Sequence, residues 1–195
     1  MIMLKKFKDW FSKQFYNKEV QLRERYLDIK NHDVEINGTE YFLAKAMIPD
    51  IPEILGIERA VYGGQTPWDD RAFRTELMRK TDRLYLVLRR NDWLVAFIGC
   101  SLNNHTKDCH ITNVAVAPNF QNHGLGYFLV TTIIKKARQL QYSKVTLEVR
   151  VSNTRAQKLY RDIGFVDNDN GLKKDYYFND REDALNMVLD ITKIG

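Results

Sequence analysis

The chain has 195 residues, 44% of them hydrophobic and 28% charged, with a formal net charge of +5. That length suits one domain with one sizeable core, and the composition excludes both wholesale disorder and a membrane-embedded protein. No apolar run reaches the ~18 to 20 residues of a spanning helix, and the opening MIMLKKFKDWFSK lacks the features of a secretion signal, so a cytoplasmic protein is expected.

The charge is unevenly placed. Residues 1–30 hold eight Lys or Arg against four Asp or Glu, which leaves +1 for the rest of the chain. The basicity belongs to an arm and not to a face of the folded body, so no direct nucleic-acid contact is expected. Within that arm Leu4, Phe7, Phe11 and Phe15 recur at spacings of three and four, with Lys5, Lys6, Lys8 and Lys13 among them. The spacing predicts a basic amphipathic helix over 1–18. Such a helix can pack on its own domain or on a partner chain, or make weak contact with an acidic membrane surface. Residues 19–33 look like a linker, and the expected division is a helix and linker over 1–39 and one folded domain over 40–195.

Cys100 and Cys109 form no CxxC pair, and His32, His105 and His110 show no metal-ligand spacing, so neither a disulfide framework nor a metal site is expected. The cysteines read as core thiols and the histidines as structural or surface residues. A Cys109–His110 nucleophile is disfavoured because neighbours on a strand point to opposite faces. Asn37-Gly38 reads as a tight turn.

From residue 40 the pattern is regular. Tyr41–Met47 predicts a strand, and Asp50 opens a helix with Pro52 in its first turn and Glu53 placed as in a capping box. A second short helix follows Thr66-Pro67. Leu84–Leu88 and Trp93–Cys100 predict strands around an Asn91-Asp92 turn. His110–Ala117 is a strand ended by Pro118; a helix over 124–140 and a strand over 144–149 complete a βαβ unit with parallel strands and a right-handed crossover. A helix over Thr154–Ile163 stops at Gly164, and two strands close the chain around Tyr176-Tyr177 and Ala184–Leu189.

Gln121-Asn122-His123-Gly124-Leu125-Gly126 lies between strand and helix. Two glycines there let successive N–H groups face a phosphate, and serve equally in a plain turn. The loop is not a Walker A motif, because Tyr127 stands where Lys would follow, and not a Rossmann fingerprint, because the third glycine is absent.

Gln121-x-x-Gly124-x-Gly126 after Asn113-Val114-Ala115-Val116 resembles the acetyl-CoA signature of GNAT acetyltransferases. With Leu147-Glu148-Val149-Arg150-Val151-Ser152-Asn153, Leu159-Tyr160, Gly164-Phe165, Asp175-Tyr176-Tyr177 and Arg181-Glu182-Asp183-Ala184, the chain is similar to the bacterial ribosomal-protein-alanine N-acetyltransferases over residues 40–191. Pro67-Trp68 is the main mark in the first half. Asn122 and His123 stand where many of that family carry a basic residue.

The resemblance implies an α/β GNAT fold: a mixed, mostly antiparallel sheet with a splayed parallel βαβ acetyl-CoA site and helices on both faces. It implies acetyl-CoA as co-substrate, no metal, and a protein or peptide N-terminus as acceptor, a ribosomal protein with N-terminal alanine among the candidates. It assigns backbone contacts with the pantetheine arm to Val114, Ala115 and Val116. Phosphate contacts fall to Gln121, Asn122, His123, Gly124, Leu125, Gly126 and Tyr127, and a further cofactor contact to Asn153. Glu148 matches the general base, Tyr160 the general acid, and Tyr176 and Tyr177 the walls of a peptide slot.

Each assignment has a plainer reading. Val114 and Val116 suit any core strand; Glu148 alternates with Val145, Leu147 and Val149 and could face solvent beside Arg150. Asn153 suits a helix cap, Tyr160 an amphipathic helix surface, and paired tyrosines ordinary strand packing. Parallel units are ordinarily covered on both faces, however, so a polar row there suggests a wet cleft. An α-amine, of pKa ~7.7 to 8.0 against ~10.4 for lysine, suits a modest base. The competing functions are acetylation of a small-molecule amine or lysine, and acetyl-CoA sensing without catalysis.

Overall fold

A computed structural model describes residues 27–177 and 180–192. The sheet is built from β1 (His32–Ile36), β2 (Thr39–Lys45), β3 (Arg83–Arg90), β4 (Trp93–Asn103), β5 (Asp108–Val116), β6 (Lys144–Arg150), β7 (Val166–Tyr177) and β8 (Glu182–Asp190). Four α-helices accompany them among the described residues: α1 (Ile51–Val61), α2 (Asp70–Met78), α3 (Leu125–Gln139) and α4 (Thr154–Ile163). The strands lie in the order β1-β2-β3-β4-β5-β6-β8-β7. Among the described strands only β5 and β6 pair in parallel; the other neighbours are antiparallel. This is the α/β architecture expected, and no described helix is long and apolar enough to cross a membrane.

Alternation along the central strands sends side chains to two cores. Leu84, Leu86 and Leu88 of β3 join Leu129, Ile133 and Leu147 under α3 and α4. Tyr85 and Val87 pack on the other side with Ile54 of α1, Phe73 of α2 and Phe97. Helices therefore cover both faces, which is why β3 and β4 carry nearly continuous apolar runs. Cys100 and Cys109 are buried thiols, as expected.

Two expectations need correction. The sheet begins before residue 40: Asn37 and Gly38, at φ 50° and 75°, make a tight turn that pairs His32–Ile36 with Thr39–Leu43, and Leu27 is already buried. The linker thus ends ahead of β1, while the helix expected over 1–18 lies outside the described residues. Asp50 does not cap α1 either. A 3-10 turn over Ile48–Asp50 leads into the helix, and the Asp50 carboxylate accepts from Met47 N at 2.7 Å and from Arg89 at 2.6 Å. Glu53 accepts from Arg89 and from Leu94 N, tying α1 to the β3–β4 hairpin.

The feature that shapes the site is a bulge in β5. Gly99 of β4 faces Asn113, but Cys100 faces Ile111, so Thr112 is an extra residue. Ahead of it Cys109 and Ile111 point into the α3–α4 core; beyond it Ala115 points into the other. Gly99 is required at this point, because a Cβ there would lie 2.2 Å from the Tyr85 ring and 2.5 Å from Asn113 Oδ1. Gly99→Ala is expected to destabilise the protein by ~1 to 3 kcal/mol through overpacking, measured by urea unfolding; wild-type stability would mean that Tyr85 yields freely.

Candidate active site

Parallel pairing of β5 with β6 ends at Ile111 and Leu147. Beyond that point the strands part, and a cleft of about 760 Å³ opens between them, within the range of small-molecule sites. Val114, Ala115, Val116, Gln121, Asn122, Gly124, Leu125, Gly126, Tyr127, Glu148, Asn153, Tyr160, Tyr176 and Tyr177 all line it. His123 does not; its carbonyl instead accepts a 3.1 Å hydrogen bond from Asn37.

At one end lies the glycine turn. Asn122 and Gly124 adopt φ 67° and 87°, so the chain reverses sharply into α3, whose N-cap Gly124 offers no side chain to its first N–H groups. A Cβ on Gly124 would also meet Asn37 Nδ2 at 2.7 Å. Open N–H groups at the start of a 15-residue helix suit a diphosphate. Gln121 braces the turn by donating to Val116 O at 3.1 Å and accepting from Arg155 at 3.0 Å. Arg155 itself lines the cleft, so α4 brings a cation to a turn that lacks one. Asn113 Nδ2 is a buried donor with no partner among the described residues, and it too lines the cleft. These features fit a pantetheine diphosphate. The Asn153 side chain caps α4 by accepting from Ala156 N at 3.1 Å, and the residue also lines the cleft.

At the other end Glu148 is the centre. Its side chain is 6% exposed, which rules out the solvent-facing reading. Oε1 accepts from Lys173 Nζ and from Asn186 Nδ2 at 2.9 Å; Oε2 accepts from the Tyr176 hydroxyl at 3.2 Å. His110 Nε2 stands 3.0 Å from Oε2. Burial works to raise the Glu148 pKa, but hydrogen bonds and charge from His110 and Lys173 outweigh it and hold the carboxyl at about 2. Burial pushes the Tyr176 hydroxyl up to about 12, reinforced by the carboxylate beside it. Tyr160 is 5% exposed and its ring packs edge-on against Phe165; burial, with Tyr62 and Tyr177 nearby, pushes its pKa up.

Tyr176 and Tyr177 are consecutive on a strand, yet both face the cleft. An irregularity between Lys173 and Tyr177, with Asp175 at φ 50°, permits this. The rings meet edge-on at 5.2 Å. Arg150 lies 3.9 Å over the Tyr177 ring and pairs with Asp180 and Glu182, each at 2.7 Å. Asp183 accepts from Asp175 N. The Arg-Glu-Asp-Ala segment therefore holds the tyrosine pair in place.

The structure adds residues that sequence reasoning passed over or set aside. His110, taken there for a structural or surface residue, lines the cleft, as does Glu58 of α1. Glu58 is 2% exposed and receives one long contact, from Trp68 N at 3.5 Å. Burial raises its pKa from 4.5 to about 7, with the Trp68 N–H opposing weakly. Pro67-Trp68 was the only nearby signal. Between those two pH values the folded protein holds a proton that the unfolded chain has released, so stability falls as pH rises across the window and levels off above it. Glu58→Gln is expected to remove that slope, gaining on the order of 3 kcal/mol over wild type between pH 5 and 8. Urea unfolding at both values tests this, and parallel slopes would show that Glu58 ionises freely in the fold.

Comparison with known proteins agrees with this geometry. Residues 48–165 match the Acetyltransferase (GNAT) family. The ribosomal protein bS18-alanine N-acetyltransferase of Escherichia coli K12 is 30% identical over 145 residues, covering 73% of this chain and 93% of that protein. The N-alpha-acetyltransferase RimI of Mycobacterium tuberculosis is 32% identical over 136 residues, covering 69% and 82%. The crystal structure of the Escherichia coli ribosomal-protein-S18-alanine N-acetyltransferase superposes with a TM-score of 0.68 at 27% identity, covering 80% of this chain and 96% of that one. Ard1 from Thermoplasma volcanium, at 22% identity and a TM-score of 0.68, shares the fold. The chain belongs to the GNAT family and is an acetyl-CoA-dependent acetyltransferase.

Proposed function

We propose that this enzyme acetylates the N-terminal α-amine of a protein, with a ribosomal protein bearing N-terminal alanine as the natural acceptor. The observation that carries this reading is the grouping of Glu148, Tyr176 and Tyr177 in the cleft, where the Tyr176 hydroxyl donates to Glu148 and its ring meets that of Tyr177 edge-on. A carboxylate within reach of two aromatic rings recognises an ammonium by charge and by cation–π attraction. The ribosomal acceptor is supported by the Escherichia coli relative, which acts by name on bS18.

In this reading the diphosphate of acetyl-CoA lies on the N–H groups after Gly124 and beside Arg155. Backbone groups of Val114–Val116, freed from β6, hold the pantetheine and polarise the thioester carbonyl. Glu148 draws the acceptor amine into line and accepts its N–H. The nitrogen attacks the carbonyl carbon directly, the C–N bond forms, and the C–S bond breaks. Tyr160 gives the departing thiolate a proton. Its raised pKa matches a site in which the thiolate is equally short of water. The cytoplasm supplies both substrates.

Peptides with a free N-terminal alanine, a blocked N-terminus or an internal lysine, each incubated with acetyl-CoA and read by mass spectrometry, test the acceptor. Only the free N-terminus should gain an acetyl group; modification of the internal lysine alone would overturn the α-amine reading.

Glu148→Gln and Tyr160→Phe should each lower kcat by ~10²- to 10⁴-fold with acetyl-CoA affinity nearly unchanged. Wild-type turnover in both variants would remove these roles.

A further inference from the structure

The donors around Glu148 differ in one respect. His110, Lys173 and Tyr176 can each change charge, and they reach the carboxylate from partly open positions: the His110 and Lys173 side chains are 30% and 43% exposed. Asn186 is 8% exposed, and its amide carries no charge at any working pH. It stands directly opposite Glu148 in the register of β6 with β8. An ionised carboxylate can only accept, so the Asn186 nitrogen faces it and the amide oxygen is turned away.

That oxygen is met by an irregularity of the edge strand. β7 pairs with β8 at Asp167–Met187 and again at Leu172–Leu185, so residues 168–171 bulge out opposite Asn186 alone. The bulge brings Asn168 to the amide, and Asn168 Nδ2 donates to Asn186 Oδ1 at 2.7 Å. Asn186 Nδ2 donates in turn to Glu148 Oε1 at 2.9 Å and lies 3.5 Å from Leu147 O. Both ends of the amide are held, and its plane cannot turn without breaking the bond to Asn168. Misplacing a reacting group by about 1 Å costs on the order of 100-fold in rate, so a fixed partner for this carboxylate has a direct bearing on turnover.

We propose that Asn186 is the positioning residue for Glu148, with Asn168 acting through it: together they fix the Oε1 edge, so that the carboxylate meets the acceptor nitrogen in one orientation whatever the pH. This rests on the role given to Glu148 above. The titratable groups in contact with the carboxylate are His110 from β5 and Lys173 and Tyr176 from β7. Arg150, Tyr160 and Tyr177, with Glu58 and Tyr62 from α1, line the same cleft.

Three variants of the full chain test this with acetyl-CoA and the alanine peptide. Asn186→Leu should lower kcat by ~10- to 100-fold with KM for acetyl-CoA unchanged, and its pH profile should run parallel to that of wild type, because no titrating group has been removed. Asn168→Ala changes an exposed residue and leaves the core intact; it should lower kcat by ~3- to 10-fold with the same parallel profile. Asn186→Asp sets a second carboxyl against the first, and because the two cannot both ionise at that distance the profile should gain an acid limb. Wild-type kcat in Asn186→Leu and Asn168→Ala would overturn the proposal.

Carbon-13 NMR of the Glu148 carboxyl, assigned by its loss in Glu148→Gln, needs no acceptor. The signal should shift in Asn186→Leu, and its titration should move to higher pH in Asn186→Asp. A signal unmoved in both would overturn the proposal whatever the acceptor is. The two failures are distinct. Wild-type turnover in Glu148→Gln removes the role of Glu148 and the proposal with it, whereas loss of turnover there beside wild-type turnover in Asn186→Leu removes the proposal alone.

Discussion

Parallel strands stay together only while their backbones can exchange hydrogen bonds, and in this protein that exchange lasts for four residue pairs, from Asp108 with Lys144 to Ile111 with Leu147. The extra residue at Thr112 then turns β5 over and bends it away from β6. Both strands keep their outer partners, β4 and β8, so the sheet opens on one side of each strand without coming apart. The freed edge of β5 lines the cleft. His110 and Glu148 reach the cleft from the face they share with the buried Thr146, at the point where the strands part. The long β4 spans the bend and packs on both faces.

The electrostatics follow from that opening. A buried carboxylate is costly unless donors surround it, and Glu148 draws them from three strands: His110 from β5, Lys173 and Tyr176 from β7, and Asn186 from β8. Those donors hold the charge in place before any substrate arrives. Lys173 and Tyr176 sit on the exposed edge strand, whereas Asn186 is buried beneath it. The buried Glu58 across the cleft has no such set of donors, and its affinity for a proton rises accordingly.

Much of this was legible in the sequence where the signal is local. The bounds of α4, from Thr154 to Ile163 with Gly164 in the left-handed conformation, coincide with the predicted helix because cap and stop are encoded within a dozen residues. The βαβ unit and the glycine turn were equally plain. What escaped depends on distant partners. His110 acquires meaning only when the parallel register sets it beside Thr146, 36 residues on, and Arg155 only when α4 comes up against Gln121. β1 is short and mostly polar, so its membership of the sheet rests on the Asn-Gly turn alone. The capping box at Asp50 was a true local pattern overridden by an ion pair with Arg89, 39 residues away.

The hydrogen bond from Asn37 to the carbonyl of His123 spans 86 positions of sequence. It joins the first hairpin to the glycine turn at the head of α3. That turn therefore lacks one of its braces until the first hairpin has docked against the middle of the chain, however early the βαβ unit assembles. Any ligand that binds at that turn favours the docked hairpin by mass action. During synthesis β1, β2 and β3 can pair with one another before α3 exists, but the Asn37 contact must wait until the turn at 121–124 has emerged.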